Sequence, residues 1–207
     1  QSVDEMLQKV SAAIEARQQG QAMSYFRQTI SLNIDRTEMY YWTNIDKSSE
    51  ISVKLANELA IAFRKKRNYD KAYLFYKELL QKAPNNVAYL ESCAEMQVCR
   101  GQEKDALRMY EKILQLEADN LAANIFLGNY YYLTAEQEKK KLETDYKKLS
   151  SPTKMQYARY RDGLSKLFTT RYEKARNSLQ KVVLRFPSTE AQKTLDKILR
   201  IEKEVNR

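Results

Sequence analysis

The chain has no histidine, four glycines, three prolines, two cysteines and one tryptophan in 207 residues. Without histidine there is no Ser–His–Asp triad, no imidazole metal ligand and no imidazole general base. The cysteines, Cys93 and Cys99, are six residues apart. On one helix this spacing places their Cα atoms about 9 Å apart, beyond the ~7 Å a disulfide spans. Both are expected as free thiols, and two lone cysteines make no zinc site. The scarcity of glycine and proline argues against a sheet-rich or disordered chain. No apolar run approaches the ~18 residues of a membrane span. Glycine-rich phosphate loops and nucleophile elbows are missing as well. Glu91 and Glu95, four residues apart, read as a solvated or groove-lining face rather than a catalytic carboxylate pair. The sequence therefore predicts no catalytic residues, no metal, no cofactor and no enzyme.

What is present is helical periodicity. Residues 53–86 carry Leu55, Leu59, Ala60, Ala62 and Phe63, then a polar break from Arg64 to Asp70. Ala72, Phe75, Tyr76, Leu79 and Leu80 follow at helical spacing, and Pro84 ends the run. That pattern predicts two amphipathic helices joined by a turn. The landmarks recur at 34 residues: Ala60, Ala94 and Gly128; Ala72 and Ala106; Tyr76 and Tyr110; Pro84, Ala118 and Pro152. A further step of 35 leads to Gly163 and Pro187, and steps of 34 and 35 carry Ala106 through Lys140 to Ala175. All three prolines thus share one repeat position. Helix–turn–helix units of this period cannot bury their apolar faces alone and must stack.

On these residues the chain resembles the tetratricopeptide repeat (TPR) family, over 53–189 and more weakly over 3–36. The small residues where paired helices touch are Ala60 and Ala72, Ala94 and Ala106, Gly128, and Gly163 with Ala175. The family's early tryptophan is absent, and Lys140 stands where a small residue belongs. The resemblance implies an all-α, right-handed superhelical α-solenoid of about nine to eleven helices. The expected plan is a single solenoid domain, 1–207. It has a degenerate N-terminal repeat at 3–36, an aromatic insertion at 37–52, repeats at 53–86, 87–120, 121–155 and 156–189, and a capping helix at 190–207. Thr134 and Gln137 predict a capping box restarting a helix within the third repeat. That second helix, thinly apolar and rich in lysine, is expected to be the most solvated. The insertion, with Tyr40, Tyr41 and Trp42, is expected either to plug a packing gap or to form an exposed lip.

Family likeness also implies a function, since first helices of such repeats line a concave groove. The groove positions expected here are Lys54, Asn57, Ile61, Arg64, Glu91, Glu95, Val98, Ile125, Asn129, Tyr132, Tyr157 and Tyr160, continuing to Leu164 and Phe168. A protein or peptide partner is implied, bound without turnover. Only Asn57 resembles the clamp with which some repeats grip a C-terminal carboxylate, so that mode is not expected. The net charge of +9 is spread over interleaved acidic and basic residues. Nucleic-acid or anionic-surface binding through Lys139, Lys140 and Lys141 is therefore the alternative. Self-assembly through repeat edges is another. A start at Gln1 favours a bacterial, exported, periplasmic protein over a cytoplasmic one.

Overall fold

A computed structural model describes residues 1–207. It contains eleven α-helices, one π-helical turn and no strand. Two compact units divide at Met109 and Tyr110.

The first unit holds α1 (Val3–Glu15), α2 (Gln19–Leu32), α3 (Ile34–Asn44), α4 (Glu50–Lys65), α5 (Tyr69–Lys82), α6 (Val87–Cys99) and the start of α7 (Glu103–Leu116). Successive helices alternate between two layers. In the odd layer, α1 and α3 run parallel, tied by Arg36 to Asp4 and by the Ser11–Tyr40 hydroxyl pair. Lys71 of α5 bonds Glu38 of α3, and Tyr41 meets Phe75 edge-on at 5.6 Å. In the even layer, Arg27 of α2 bonds Glu58 of α4, and Arg64 of α4 bonds Glu95 of α6. Between the layers lie Val10, Ala22, Phe26, Leu55, Leu59, Ala60, Ala72, Phe75, Cys93 and Met96, all buried.

Three turns in this unit are alike. Arg17, Arg67 and Gly101 take positive φ of 58°, 60° and 77°. The next amide in each case donates back to a carbonyl five residues earlier: Gln18 to Ala13, Asn68 to Phe63 and Gln102 to Gln97. This closure satisfies carbonyls that the helix end would leave orphaned. Gly101 adopts it without the Cβ strain that the two arginines accept.

The segment expected as an insertion, 37–52, holds most of one further helix, α3, and the turn that leads into α4. α3 occupies the odd layer beside α1, so α2 lies parallel to α4. The excess residues thus add one helix to the alternation. Its Tyr40 and Tyr41 are buried. Trp42 stacks on Phe75 at 5.2 Å and leaves 37% of its surface exposed.

The second unit departs from the expected repeats. α8 (Leu121–Lys147) runs unbroken through Thr134, where a restart was predicted. Nothing at Leu133–Ala135 breaks a helix: the Thr134 hydroxyl donates back to the Tyr130 carbonyl at 2.9 Å, and Ala135 is fully buried. The capping box forms instead at Thr153 and Gln156. It opens α9 (Lys154–Leu167), which passes through a π-helical turn (Phe168–Tyr172) into α10 (Glu173–Arg185) without a reversal. Thr169 and Thr170 hydroxyls bond the carbonyls of Ser165 and Lys166 there, a local competition that goes with helix distortion.

The two predicted hairpins, 121–155 and 156–189, are therefore one longer hairpin. Its base pairs α8 with α10 through Gly128, Ser178 and Leu179. Its far end pairs α8 with α9 through Leu142 and Gly163. The final helix α11 (Thr189–Val205) packs Ala191, Ile198 and Ile201 into a core with Ala135, Leu167, Phe168, Tyr172, Ala175, Leu179 and Val182. Arg161 donates to the carbonyls of Glu204 and Val205 and closes the C-terminus of α11.

Three buried or half-buried tyrosines set an alkaline limit. Burial pushes the Tyr41 hydroxyl up to about 12. Burial, reinforced by its bond to Glu111, does the same for Tyr131. Tyr172 is raised further by burial and by its bond to Glu136. A folded-state value above the ordinary ~10 means that the neutral form is the one the fold holds. Stability from these groups is complete below pH ~10 and is lost as pH rises toward 12. Tyrosinate absorbance is expected to show these three ionising together with loss of helical circular dichroism, after the exposed tyrosines have titrated.

Candidate functional site

The even layer of the first unit gathers the predicted groove residues of α4 and α6. Lys54 is exposed, its ammonium donating to Gln19 Oε1 at 2.9 Å. Asn57 is half-buried. Ile61 is 36% exposed and Val98 42% exposed. Glu91 is half-buried. The Arg64–Glu95 ion pair connects the two helices and sets their faces side by side. Both members are about half solvated, so the pair adds roughly 0–1 kcal/mol and acts chiefly to fix the surface.

α2 extends this face. Ile30, Ile61 and Ala62 line a cavity of about 360 Å³ between α2 and α4, with Arg27, Ser31, Glu58, Lys65 and Lys66 around it. Arg27 and Glu58 neutralise each other at 2.8 Å. Lys65 and Lys66 are exposed and pair with no carboxylate, so the rim is net positive over an apolar floor. Arg27, Ile30 and Ser31 were not among the expected groove residues, because they fall in the second half of the degenerate repeat at 3–36, where the groove-lining first helix does not lie. The available signal was the 50-residue spacing from Ala22 to Ala72, sixteen more than one period, enough for another helix.

In the second unit, Ile125 and Asn129 are exposed on α8. Tyr132 is half-buried, with its ring 6.3 Å from Tyr172. Tyr157 and Tyr160 belong to a different place. Tyr160 stacks on Tyr146 at 4.5 Å, and Tyr157 lies 6.1 Å from the same ring. Tyr146 is fourteen residues beyond Tyr132, about 21 Å along the helix. The pair therefore sits at the far end of the hairpin, away from Asn129 and Tyr132. Leu164 and Phe168, read as a continuation of the groove, are buried, and Phe168 is covered by the α11 core residues.

The lysine run at 139–141 is not one surface. Lys139 is held by Glu143 at 3.3 Å and Glu204 at 3.5 Å, while Lys140 and Lys141 are exposed. Cys93 is buried and Cys99 exposed, both unbridged. Burial pushes the Cys93 thiol up to about 12, which leaves it inert. No helix is long and apolar enough to cross a membrane.

Paired antiparallel helices in two alternating layers, with a solvated face carrying apolar, amide and charged groups, define a helical-repeat protein. A family profile described as tetratricopeptide repeat matches residues 58–86. A solved structure of a candidate protein-binding protein from Bacteroides ovatus ATCC 8483 is 92% identical, with 99% of this chain and 100% of that one covered and a TM-score of 0.91. The chain belongs to the tetratricopeptide repeat family. It is similar as well to a tetratricopeptide repeat protein from Bacteroides fragilis NCTC 9343, at 13% identity over 97% of this chain and 99% of that one, with a TM-score of 0.41. A thermophilic tetratricopeptide protein from Thermus thermophilus is 14% identical over 96% of this chain and 99% of that one, with a TM-score of 0.36. Among proteins with curated descriptions, none is detectably similar.

Proposed function

We propose that the protein is a non-enzymatic binding module. On this reading it takes an extended or helical segment of a partner protein along the even-layer face of α2, α4 and α6. The observation carrying this reading is the apolar cavity floored by Ile30, Ile61 and Ala62 beside a solvated face of Asn57, Arg64, Glu91, Glu95 and Val98. An apolar anchor of the partner fits the cavity, and amide and charged groups along the face fix the direction of its backbone. Most binding energy in such contacts comes from a few desolvated side chains. The description of the Bacteroides ovatus relative as a candidate protein-binding protein agrees with this. Ile125, Asn129 and Tyr132 on α8 form a second proposed contact strip.

Affinity capture from the native extract, identified by mass spectrometry, tests the reading. Ile61→Glu places a charge on the cavity floor and is expected to weaken capture by about 2 kcal/mol, roughly 30-fold. Val98→Glu is expected to have a smaller effect, at the edge of the face. Because both residues are solvent-accessible, melting temperatures should change little. Unchanged partners in both variants would refute the face as the site.

A further inference from the structure

The far end of the long hairpin is unlike the rest of the molecule. From Glu136 to Gly163 no residue is buried, although the whole stretch except its short turn is helical. The Tyr146–Tyr160 stack and the Leu142–Gly163 contact hold its two arms together. The end of α11 reaches only to Lys139 and Arg161. The turn after Lys148 lies nine residues further along α8, about 13 Å beyond that support.

This end has an unusual composition. From Tyr146 to Arg161 there is no aspartate or glutamate, but there are Lys147, Lys148, Lys154, Arg159 and Arg161. Arg161 is occupied by the α11 carbonyls. Lys147, Lys148 and Lys154 are exposed and pair with no carboxylate, and Arg159 contacts only the Met155 sulfur. Beside them Leu149 is 38%, Met155 65% and Tyr157 51% exposed.

We infer that this hairpin tip docks on an anionic lipid surface. Three observations favour lipid over an acidic peptide. The tip is a chain reversal between two helices in which no residue is buried. Its exposed apolar groups are aliphatic and tyrosyl, the types that settle at a headgroup boundary. Lysine stems can lie along that boundary while their ammonium groups meet lipid phosphates. Leu149, Met155 and Tyr157 enter the headgroup layer, and the lysines supply the charge complement. The tip and the α2–α4–α6 face share no residue, so this inference does not depend on what that face binds.

Vesicle co-sedimentation of the full chain tests it. The protein is expected to bind phosphatidylcholine vesicles containing about one-third phosphatidylglycerol, and to bind phosphatidylcholine alone weakly. Each lysine near an anionic surface strengthens binding about five-fold, so Lys147→Gln, Lys148→Gln and Lys154→Gln together are expected to weaken it about 100-fold. Leu149→Ser with Met155→Ser is expected to weaken it about ten-fold or more, by removing apolar insertion. Every substituted side chain is exposed, so circular dichroism and melting temperature should be unchanged. A control with Lys77→Gln, Lys104→Gln and Lys193→Gln, exposed lysines outside both surfaces and of equal charge change, should keep binding within about two-fold. An equal loss in the control would overturn the assignment by showing that net charge alone acts. Absence of binding to anionic vesicles would also overturn it. So would retention on an immobilised acidic polypeptide without vesicle binding, an outcome that assigns the tip to an acidic protein.

Discussion

Gly128→Val is expected to lower the stability of the second unit by about 3 kcal/mol, the upper part of the range for overpacking a closed core. A Cβ at residue 128 would stand 2.7 Å from Leu179 Cδ2 and 2.8 Å from Leu179 Cγ, with Ser178 Cβ at 3.5 Å. Gly128 is buried, and Leu179 is 2% exposed within the core shared with Ala175, Val182 and Tyr172. Leu179 is enclosed by that core, so a branched side chain at 128 must either drive Leu179 from its rotamer or push α8 and α10 apart. For a chain of this length the melting temperature should fall by roughly 6–12 °C. Gly128→Ala is expected to cost less. Alanine makes the same Cβ clash, but it restores about 1 kcal/mol of helix propensity that glycine forfeits. The combination Gly128→Ala with Leu179→Ala should be less destabilising than the sum of the single changes, because removing the Leu179 isobutyl relieves the clash. Strictly additive thermal shifts would show that the close approach is not what glycine serves.

Gly128 shows how much of this fold was legible in sequence. Its place on the period of 34 identified it as a contact between paired helices, and the contact exists. Its partner was misread. The period pointed to a helix starting at Thr134, with Lys140 at the small position; the structure supplies Ser178 and Leu179 from α10 instead. The mismatch at Lys140 was the warning. A lysine cannot sit where two helix backbones press together, so the true second helix had to come later. The period itself obscured this. Gly163 and Pro152 happen to keep the spacing while serving a hairpin end and its turn, and spacing cannot distinguish a repeat from an insertion of nearly repeat length. No helix breaker occurs at Leu133–Ala135 or Phe168–Tyr172, and that absence was the local evidence for continuity.

The candidate site was legible to a similar degree. Asn57, Ile61, Arg64, Glu95 and Val98 follow from counting positions on helices whose register was right. Arg27 and Ile30 were missed because layer membership depends on how many helices precede a position. One added helix at Ile34–Asn44 moves α2 to the other layer. Side-chain pairings between neighbouring helices of a layer, such as Arg27 with Glu58, have no signature in a single sequence.

Phe75→Ala is expected to cost about 4 kcal/mol and to change the environment of the only tryptophan. Phe75 is fully buried and meets three other rings: Phe63 stacked at 5.9 Å, Trp42 stacked at 5.2 Å and Tyr41 edge-on at 5.6 Å. Truncation removes the ring that connects α3 to α4 and α5. The void it leaves is bounded by helices fixed elsewhere, by Lys71 to Glu38 and by Lys82 to the Lys47 carbonyl and Ser52, so collapse should be partial. Trp42 then loses the support beneath one ring face. Its indole N–H still reaches Glu38 at 3.2 Å, and Lys47 still lies over its ring at 5.8 Å. Its emission should therefore shift to the red as water reaches the freed face, without the full shift of an unfolded chain. Phe75→Leu should keep most of the volume and cost less, about 1–2 kcal/mol, while still losing the ring stacking. This pair of variants separates two roles for Trp42. If the tryptophan packs against α5, its emission follows residue 75 and partner capture does not change. If it is a contact lip, Trp42→Ala should weaken capture in a protein whose melting temperature barely moves. The stacking on Phe75, with a little over a third of the residue exposed, makes the first outcome the expected one.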